Sequence, residues 1–151
     1  MLNEYFIFCI KEKFAVHFFH KSDVLYRFLK SYQQNKGNAD LYNQYHYVTN
    51  EFPKSLLLSH INTYHRPDVH IHIQNNKLVL STATQYMTLY ICDKHLRVCC
   101  KTLQDAEYLL FSSLRLFNPF LFVTCFSIKK YGWISPIMLS HQAHHEHLLS
   151  S

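Results

Sequence analysis

The sequence predicts a single α+β domain in which a mixed or antiparallel β-sheet packs against helices. The chain has 151 residues, of which 48% are hydrophobic and 17% charged, so it can bury a sizeable core. Short apolar or alternating runs typical of strands recur along it, and two of them flank a tight connection typical of a hairpin. Segments with helical spacing lie between these runs, which indicates the α+β class.

The first 32 residues contain a predicted strand followed by a long helical pattern. Residues 5–10 form an apolar run of aromatic and β-branched side chains, which is typical of a buried strand. On one straight helix over residues 11–32, the apolar side chains would cover more than the ~100° arc that usually faces a core. We therefore predict a break near residues 20–22 and a second helix over residues 23–32 with Ser22 as its N-cap.

The next segment is predicted to contain a loop, a strand and a helix. Residues 33–40 are polar and predict a loop, and the Tyr-rich stretch after them predicts a strand at residues 45–48. Pro53 suits the first turn of a helix that ends before Pro67. The apolar residues that space as the inner face of this helix are Leu56, Leu57, Ile61 and Tyr64.

Two predicted hairpins follow. Residues 68–73 alternate, with Val69, Ile71 and Ile73 on one face and His70 and His72 on the other, and residues 77–80 can pair back on them. The clearer hairpin joins residues 86–92 to residues 96–101 through a tight connection.

A helix and a central strand complete the predicted domain. The helix starts at Thr102 or at residues 104–105 and runs through Leu116, and its inward positions are Ala106, Leu109, Leu110, Ser113, Leu114 and Phe117. Residues 120–126 are apolar throughout, which is typical of a buried central strand. We place the domain at residues 1–137 and a flexible, His-rich tail at residues 138–151.

Composition argues against several classes of protein. The apolar stretch of residues 108–128 has Arg115 near its centre, which costs about 2.5–3.5 kcal/mol in a bilayer, so we expect no membrane span. The formal charge of +5 comes without a Lys/Arg run, so we expect no direct binding of nucleic acid. Two glycines in the whole chain argue against a phosphate-binding loop.

The five cysteines are odd in number and lie mostly in apolar runs. No secretory signal pattern precedes them, so we expect reduced, buried thiols and a cytoplasmic location. No paired carboxylates occur, and we expect neither catalysis nor a cofactor.

Twelve histidines raise the question of a metal site. His70 and His72 form an HxH pair on one strand face, but no HExxH and no CxxC motif is present. We expect no metal. A domain that binds a metal or a small molecule through His70 and His72 remains the alternative function.

Aromatic residues make up 16% of the chain, so the protein either packs many rings into its core or exposes some of them at a binding surface. Phe14 and Phe18 lie on one helical line, with Ala15 beside them and Lys13 and Lys21 nearby. Both rings can belong to the core, or they can anchor a partner.

Two segments resemble the sequence signatures of the SirA family, sporulation inhibitors of replication from endospore-forming bacteria. They are IKEKFAVHFF (residues 10–19) and KKYGWISPI (residues 129–137). The order of elements between them is also similar: QYHYVT (residues 44–49) is followed by a helix that starts at a Pro, a hairpin, and a helix that ends at residues 118–119. The resemblance implies a small cytoplasmic α+β protein that binds the N-terminal domain of the replication initiator DnaA, in a one-to-one complex, and so stops new rounds of replication during sporulation.

The resemblance also implies the residues of the interface. Carried over by motif, the partner-binding residues are Phe14, Ala15, Phe18 and Gln44, and the structural or indirect ones are Gly132, Trp133 and Pro136. A known family member has Tyr at the position of Phe18, so a hydroxyl hydrogen bond made there is absent from this chain. We expect Gly132 to adopt an unusual backbone angle and Trp133 to close the core.

Overall fold

The computed structural model describes residues 2–135, and within them an antiparallel sheet of eight strands carries helices on both faces. The predicted α+β class is therefore confirmed. The strands are β1 (Asn3–Ile10), β2 (Thr49–Asn50), β3 (His70–Gln74), β4 (Lys77–Ser81), β5 (Tyr86–Ile91), β6 (His95–Cys100), β7 (Leu121–Cys125) and β8 (Lys130–Trp133). The helices are α1 (Glu12–Phe18), α2 (Ser22–Gln34), α3 (Ala39–Val48), α4 (Lys54–Thr63), α5 (Leu103–Ala106) and α6 (Ser112–Phe117), with a π-helical segment (Glu107–Phe111) joining the last two.

Strand β1 lies at the centre of the sheet. The strand order is β3-β4-β5-β6-β1-β7-β8, and the short β2 pairs with the end of β1. Because helices cover both faces, β1 is buried on both: Ile7 and Ile10 are each 0% exposed and point to opposite sides. This explains why β1 is an apolar run and not an alternating one.

Each face of the sheet has its own hydrophobic core. Helix α4 and the segment from α5 to α6 cover one face, and they bury Leu57, Ile61 and Leu110 against it. Helices α1, α2 and α3 cover the other face, where Leu25 and Tyr45 are buried. The candidate binding residues of α1 and α3 therefore share one face of the molecule.

The strand predicted at residues 45–48 is wrong, because this segment is the last turn of α3. The side chain of Asn38 accepts a hydrogen bond from the backbone N–H of Leu41 at 3.1 Å and caps the helix. The Tyr45 ring stacks on Tyr32 of α2 with centroids 4.0 Å apart, and this contact buries one face of α3. A Tyr-rich stretch has high β-propensity, and packing against α2 overrides it.

The predicted break between the first two helices is confirmed, since α1 ends at Phe18 and α2 begins at Ser22. The predicted N-cap is wrong. Lys21 is the N-cap residue and makes no side-chain capping bond, while Ser22 is already helical. The Ser22 hydroxyl instead contacts Trp133, as described below.

Three apolar residues predicted to face inward are exposed. Leu56 is 67% and Tyr64 is 53% exposed, so the buried face of α4 is narrower than predicted and consists of Leu57 and Ile61, four residues apart. Ile73 is 59% exposed and lies near the end of β3, the edge strand of the sheet. The predicted end of α4 before Pro67 is confirmed.

Other elements agree with prediction, with two exceptions: both ends of the predicted loop of residues 33–40 are helical, and a π-helical segment interrupts the predicted helix after Thr102. Both hairpins, β3–β4 and β5–β6, are confirmed, and every residue of β7 is buried. Thr102 caps α5 by accepting a hydrogen bond from Asp105 N–H at 3.1 Å. Within residues 2–135, none of the helices has the length and apolar character needed to cross a bilayer.

Candidate functional site

Helix α1 carries Phe14 and Phe18 one turn apart. Both rings are half-buried and pack against the core cluster that contains Phe8 and Ile10. Each ring therefore contributes to packing and also keeps an accessible surface. Of the two alternatives left open by the sequence, core packing accounts for only part of each ring.

Ala15 lies on the buried side of α1. It is 0% exposed, so its methyl group offers no surface for the partner contact that the resemblance implied. Its small size lets α1 lie close to the sheet, and a larger side chain there would overpack the core beneath Phe14 and Phe18.

The structure adds Tyr47 of α3 to this surface. The ring of Tyr47 is 57% exposed and meets Phe14 edge-on, with centroids 5.3 Å apart. Lys13 Nζ donates a hydrogen bond to Tyr47 Oη at 3.1 Å, and Lys11 Nζ lies 5.1 Å from the centroid of the Tyr47 ring. We call Lys11, Lys13, Phe14 and Tyr47 the α1–α3 aromatic cluster.

The two lysines change the chemistry of the Tyr47 phenol. The hydrogen bond from Lys13, together with the positive charges of Lys13 and Lys11, lowers the pKa of Tyr47 below its ordinary value of 10. The cluster therefore combines accessible aromatic surface with positive charge. A partner that offers apolar or acidic groups would suit it.

Gln44 lies on the same face of α3 as Tyr47, because residues three apart are neighbours on a helix. Its side chain is exposed. The backbone N–H of Lys11 donates to the carbonyl of Val48 at 2.9 Å and joins the start of α1 to the end of α3. The fold thus aligns the predicted residues of α1 with the face of α3 that carries Gln44.

Tyr47 was missed at the sequence level because residues 45–48 were assigned to a strand. In a strand, Tyr45 and Tyr47 would share a face, whereas in a helix they lie about 200° apart. Leu41, Tyr45 and Val48 have the i, i+4, i+7 spacing of a helix, and the last two are buried. That spacing was the available signal, and it would have placed Tyr47 on the exposed side.

Trp133 lies on β8, under the junction of α1 and α2. Its ring meets Phe122 edge-on at 4.9 Å and stacks on Phe19 at 6.3 Å, and its Nε1–H donates to Ser22 Oγ at 3.2 Å. Trp133 therefore contacts the core below α1 and not the exposed aromatic cluster.

The backbone angle expected at Gly132 is absent, because no described glycine has a positive φ. A Cβ placed at Gly132 would meet nothing within 4 Å. Gly132 lines an open cavity of about 630 Å³ between β8 and the helical segment of residues 103–117. Arg115 lines the cavity, where its guanidinium forms an ion pair with Glu107 and donates to the carbonyl of Ile134 at 2.7 Å. Pro136 lies outside the described residues.

His70 and His72 lie on the exposed edge strand β3. In the part of the chain that the structure describes, no group of three or more His, Cys, Asp or Glu side chains could hold a metal ion. Burial raises the pKa of the Cys9 thiol, and it raises the pKa of Cys100 to about 12. These two thiols are protonated near neutral pH and are weak nucleophiles.

Two comparisons with known proteins show what the chain is similar to. Residues 3–138 match the family model described as sporulation inhibitor of replication protein SirA. A protein of Bacillus subtilis (strain 168) with the same description is 24% identical over 146 residues, which cover 91% of this chain and 96% of that protein.

Proposed function

The chain belongs to the SirA family of sporulation inhibitors of replication, and from this premise we propose that it blocks initiation by binding the N-terminal domain of DnaA. The proposed complex is one-to-one, forms in the cytoplasm, and needs neither catalysis nor a cofactor. Neither DNA nor a membrane takes part in the contact. The inhibitor would act by covering a surface of the initiator.

The observation that supports this proposal is the geometry of the α1–α3 aromatic cluster. Phe14 is half-buried, so the fold already restricts its ring, and the ring still has an accessible edge beside the exposed Tyr47. Pre-ordered aromatic side chains at the centre of a polar rim are typical of interface hot spots. Lys13 and Gln44 supply polar groups around these rings.

The test is a calorimetric titration of the protein into the purified N-terminal domain of the cognate DnaA. We expect saturable binding with a stoichiometry near one. The Phe14→Ala/Phe18→Ala double variant should lose more than about 2 kcal/mol of binding free energy, because both accessible rings are removed.

Tyr64→Ala is the matched control, since Tyr64 is an exposed aromatic residue at the C-cap of α4, a helix on the opposite face of the sheet. It should bind like the wild type. Wild-type affinity in a folded Phe14→Ala/Phe18→Ala variant would contradict the assignment of the surface, and absence of binding by the folded wild type would contradict the choice of partner.

A further inference from the structure

The carbonyl groups at the C-terminal end of α3 have well-defined partners. The last carbonyls of a helix lack intrahelical donors and need others. The carbonyl of Tyr45 accepts from the N–H of Thr49 and from its hydroxyl, the latter at 2.7 Å. The carbonyl of Val48 accepts from the N–H of Lys11 at 2.9 Å.

The side chain of Lys94 supplies two further hydrogen bonds at the same end. Lys94 lies at the tip of the β5–β6 hairpin, and its Nζ donates to the carbonyl of Thr49 at 3.0 Å and to that of His46 at 3.5 Å. In return, the Tyr45 hydroxyl donates to the backbone carbonyl of Lys94 at 3.2 Å. The contact between α3 and the hairpin tip is therefore reciprocal.

The charge and the position of Lys94 both suit this contact. A cation is favourable at a helix C-terminus, where the helix dipole is negative, and Lys94 is half-buried there. The tip itself is held in place, because Cys92 N–H donates to the carbonyl of His95 at 3.0 Å and Phe52 N–H donates to the carbonyl of Asp93 at 2.7 Å. A rigid hairpin thus positions the ammonium group.

The anchored turn carries the α3 part of the candidate surface. Tyr47 lies between His46 and Val48, whose carbonyls are bonded to Lys94 and Lys11, and Gln44 is one turn earlier. Movement of this turn would separate Tyr47 from Phe14 and from Lys13. We propose that Lys94 is a positioning residue of the partner-binding surface, a role that rests on the proposed function, and that it keeps the α3 residues in register with α1.

The first measurement concerns Tyr47 and does not need the partner. In Lys94→Met, the titration of Tyr47, followed by NMR of protein labelled at the tyrosine Cζ carbons, should show a pKa higher than in the wild type and closer to 10, because the contact with Lys13 loosens. Lys36→Met is the matched control, since Lys36 also lies near the hairpin tip and its substitution by Met removes the same positive charge. Its Tyr47 titration should equal that of the wild type.

The second measurement is the affinity for the N-terminal domain of DnaA. Lys94→Met should weaken binding about tenfold, whereas Lys36→Met should change it by less than about twofold. Lys94→Arg keeps a cation at the helix end and should restore most of the affinity. A folded Lys94→Met protein with wild-type Tyr47 titration and affinity would overturn the proposal.

The two measurements separate the failure of this inference from failure of the proposed function. If the wild type does not bind the DnaA domain, the proposed partner is wrong, and the Tyr47 titration still decides whether Lys94 positions α3. If Lys94→Met does not fold, Tyr45→Phe replaces it, since that variant removes the bond to the Lys94 carbonyl and keeps the ring. Tyr45→Phe should also raise the pKa of Tyr47, by less than the rise expected for Lys94→Met. An unchanged pKa of Tyr47 would count against the proposal.

Discussion

At the scale of single residues, polar atoms at the edge of the core form hydrogen bonds between elements that the hydrophobic pattern does not predict. Ser22 is half-buried and joins three parts of the chain. Its hydroxyl donates to the carbonyl of Phe19 at 3.3 Å and accepts from Trp133 Nε1–H at 3.2 Å. One small side chain thus ties the α1–α2 junction to β8.

Ser22→Ala should lower the free energy of unfolding by about 1 kcal/mol, because it leaves the half-buried indole N–H of Trp133 without its acceptor. Urea unfolding followed by the fluorescence of this Trp measures the change. Ser31→Ala is the control, since Ser31 is on the same helix with an exposed side chain. Equal stability of the two variants would show that water replaces the hydroxyl at no cost.

At the scale of elements, β1 organises the fold. It pairs with β6 on one side and with β7 on the other, and helices cover both of its faces. Side chains of β1 belong to both cores, so its loss affects both layers. The edge strand β3 is the opposite case, because within residues 2–135 it pairs only with β4.

Ile7→Ala should cost about 2–5 kcal/mol of stability, because Ile7 is 0% exposed in the central strand and its truncation leaves a cavity. Ile73→Ala in β3 makes the same chemical change at a site that is 59% exposed. It should stay within about 0.5 kcal/mol of the wild type. Chemical unfolding of both variants checks the prediction, and similar losses would contradict the assigned positions of β1 and β3.

At the scale of the whole molecule, burial of one histidine couples folding to pH. The His95 ring packs against Phe6 and Phe8, with centroids 5.6 Å and 6.2 Å away. Burial lowers its pKa below 6.5, the charges of Lys36 and Arg97 lower it further, and Glu4 opposes them. Between that lowered pKa and 6.5, the unfolded chain binds more protons than the folded one, so stability falls as pH falls.

Acidification from about pH 7 to about pH 5.5 should therefore destabilise the wild type more than His95→Phe, which keeps an aromatic ring and cannot be protonated. Urea unfolding at the two pH values gives the difference directly. The other titrating groups are common to both proteins and cancel in this comparison. An equal loss in both would mean that His95 does not contribute to the acid sensitivity.

The sequence by itself determined the periodic features of the protein. The apolar run of β1, the two hairpins, the break before Ser22 and the inward face of residues 103–117 were all predictable, because each pattern reports burial within one element. An apolar arc too wide for one core face singled out Phe14 and Phe18, but it left open whether their rings pack in the core or face outward, and the structure shows that both are half-buried. Membership of the family was visible in its two end segments.

Only the tertiary structure decided which side chains meet. Tyr47 contacts a lysine 34 positions earlier, Ser22 contacts a Trp 111 positions later, and Lys94 bonds to carbonyls 45 and 48 positions before it. The helical state of residues 45–48 also depended on stacking against α2. Local periodicity carries no information about such contacts, because they arise between elements that the chain brings together only when the sheet and its two layers of helices assemble.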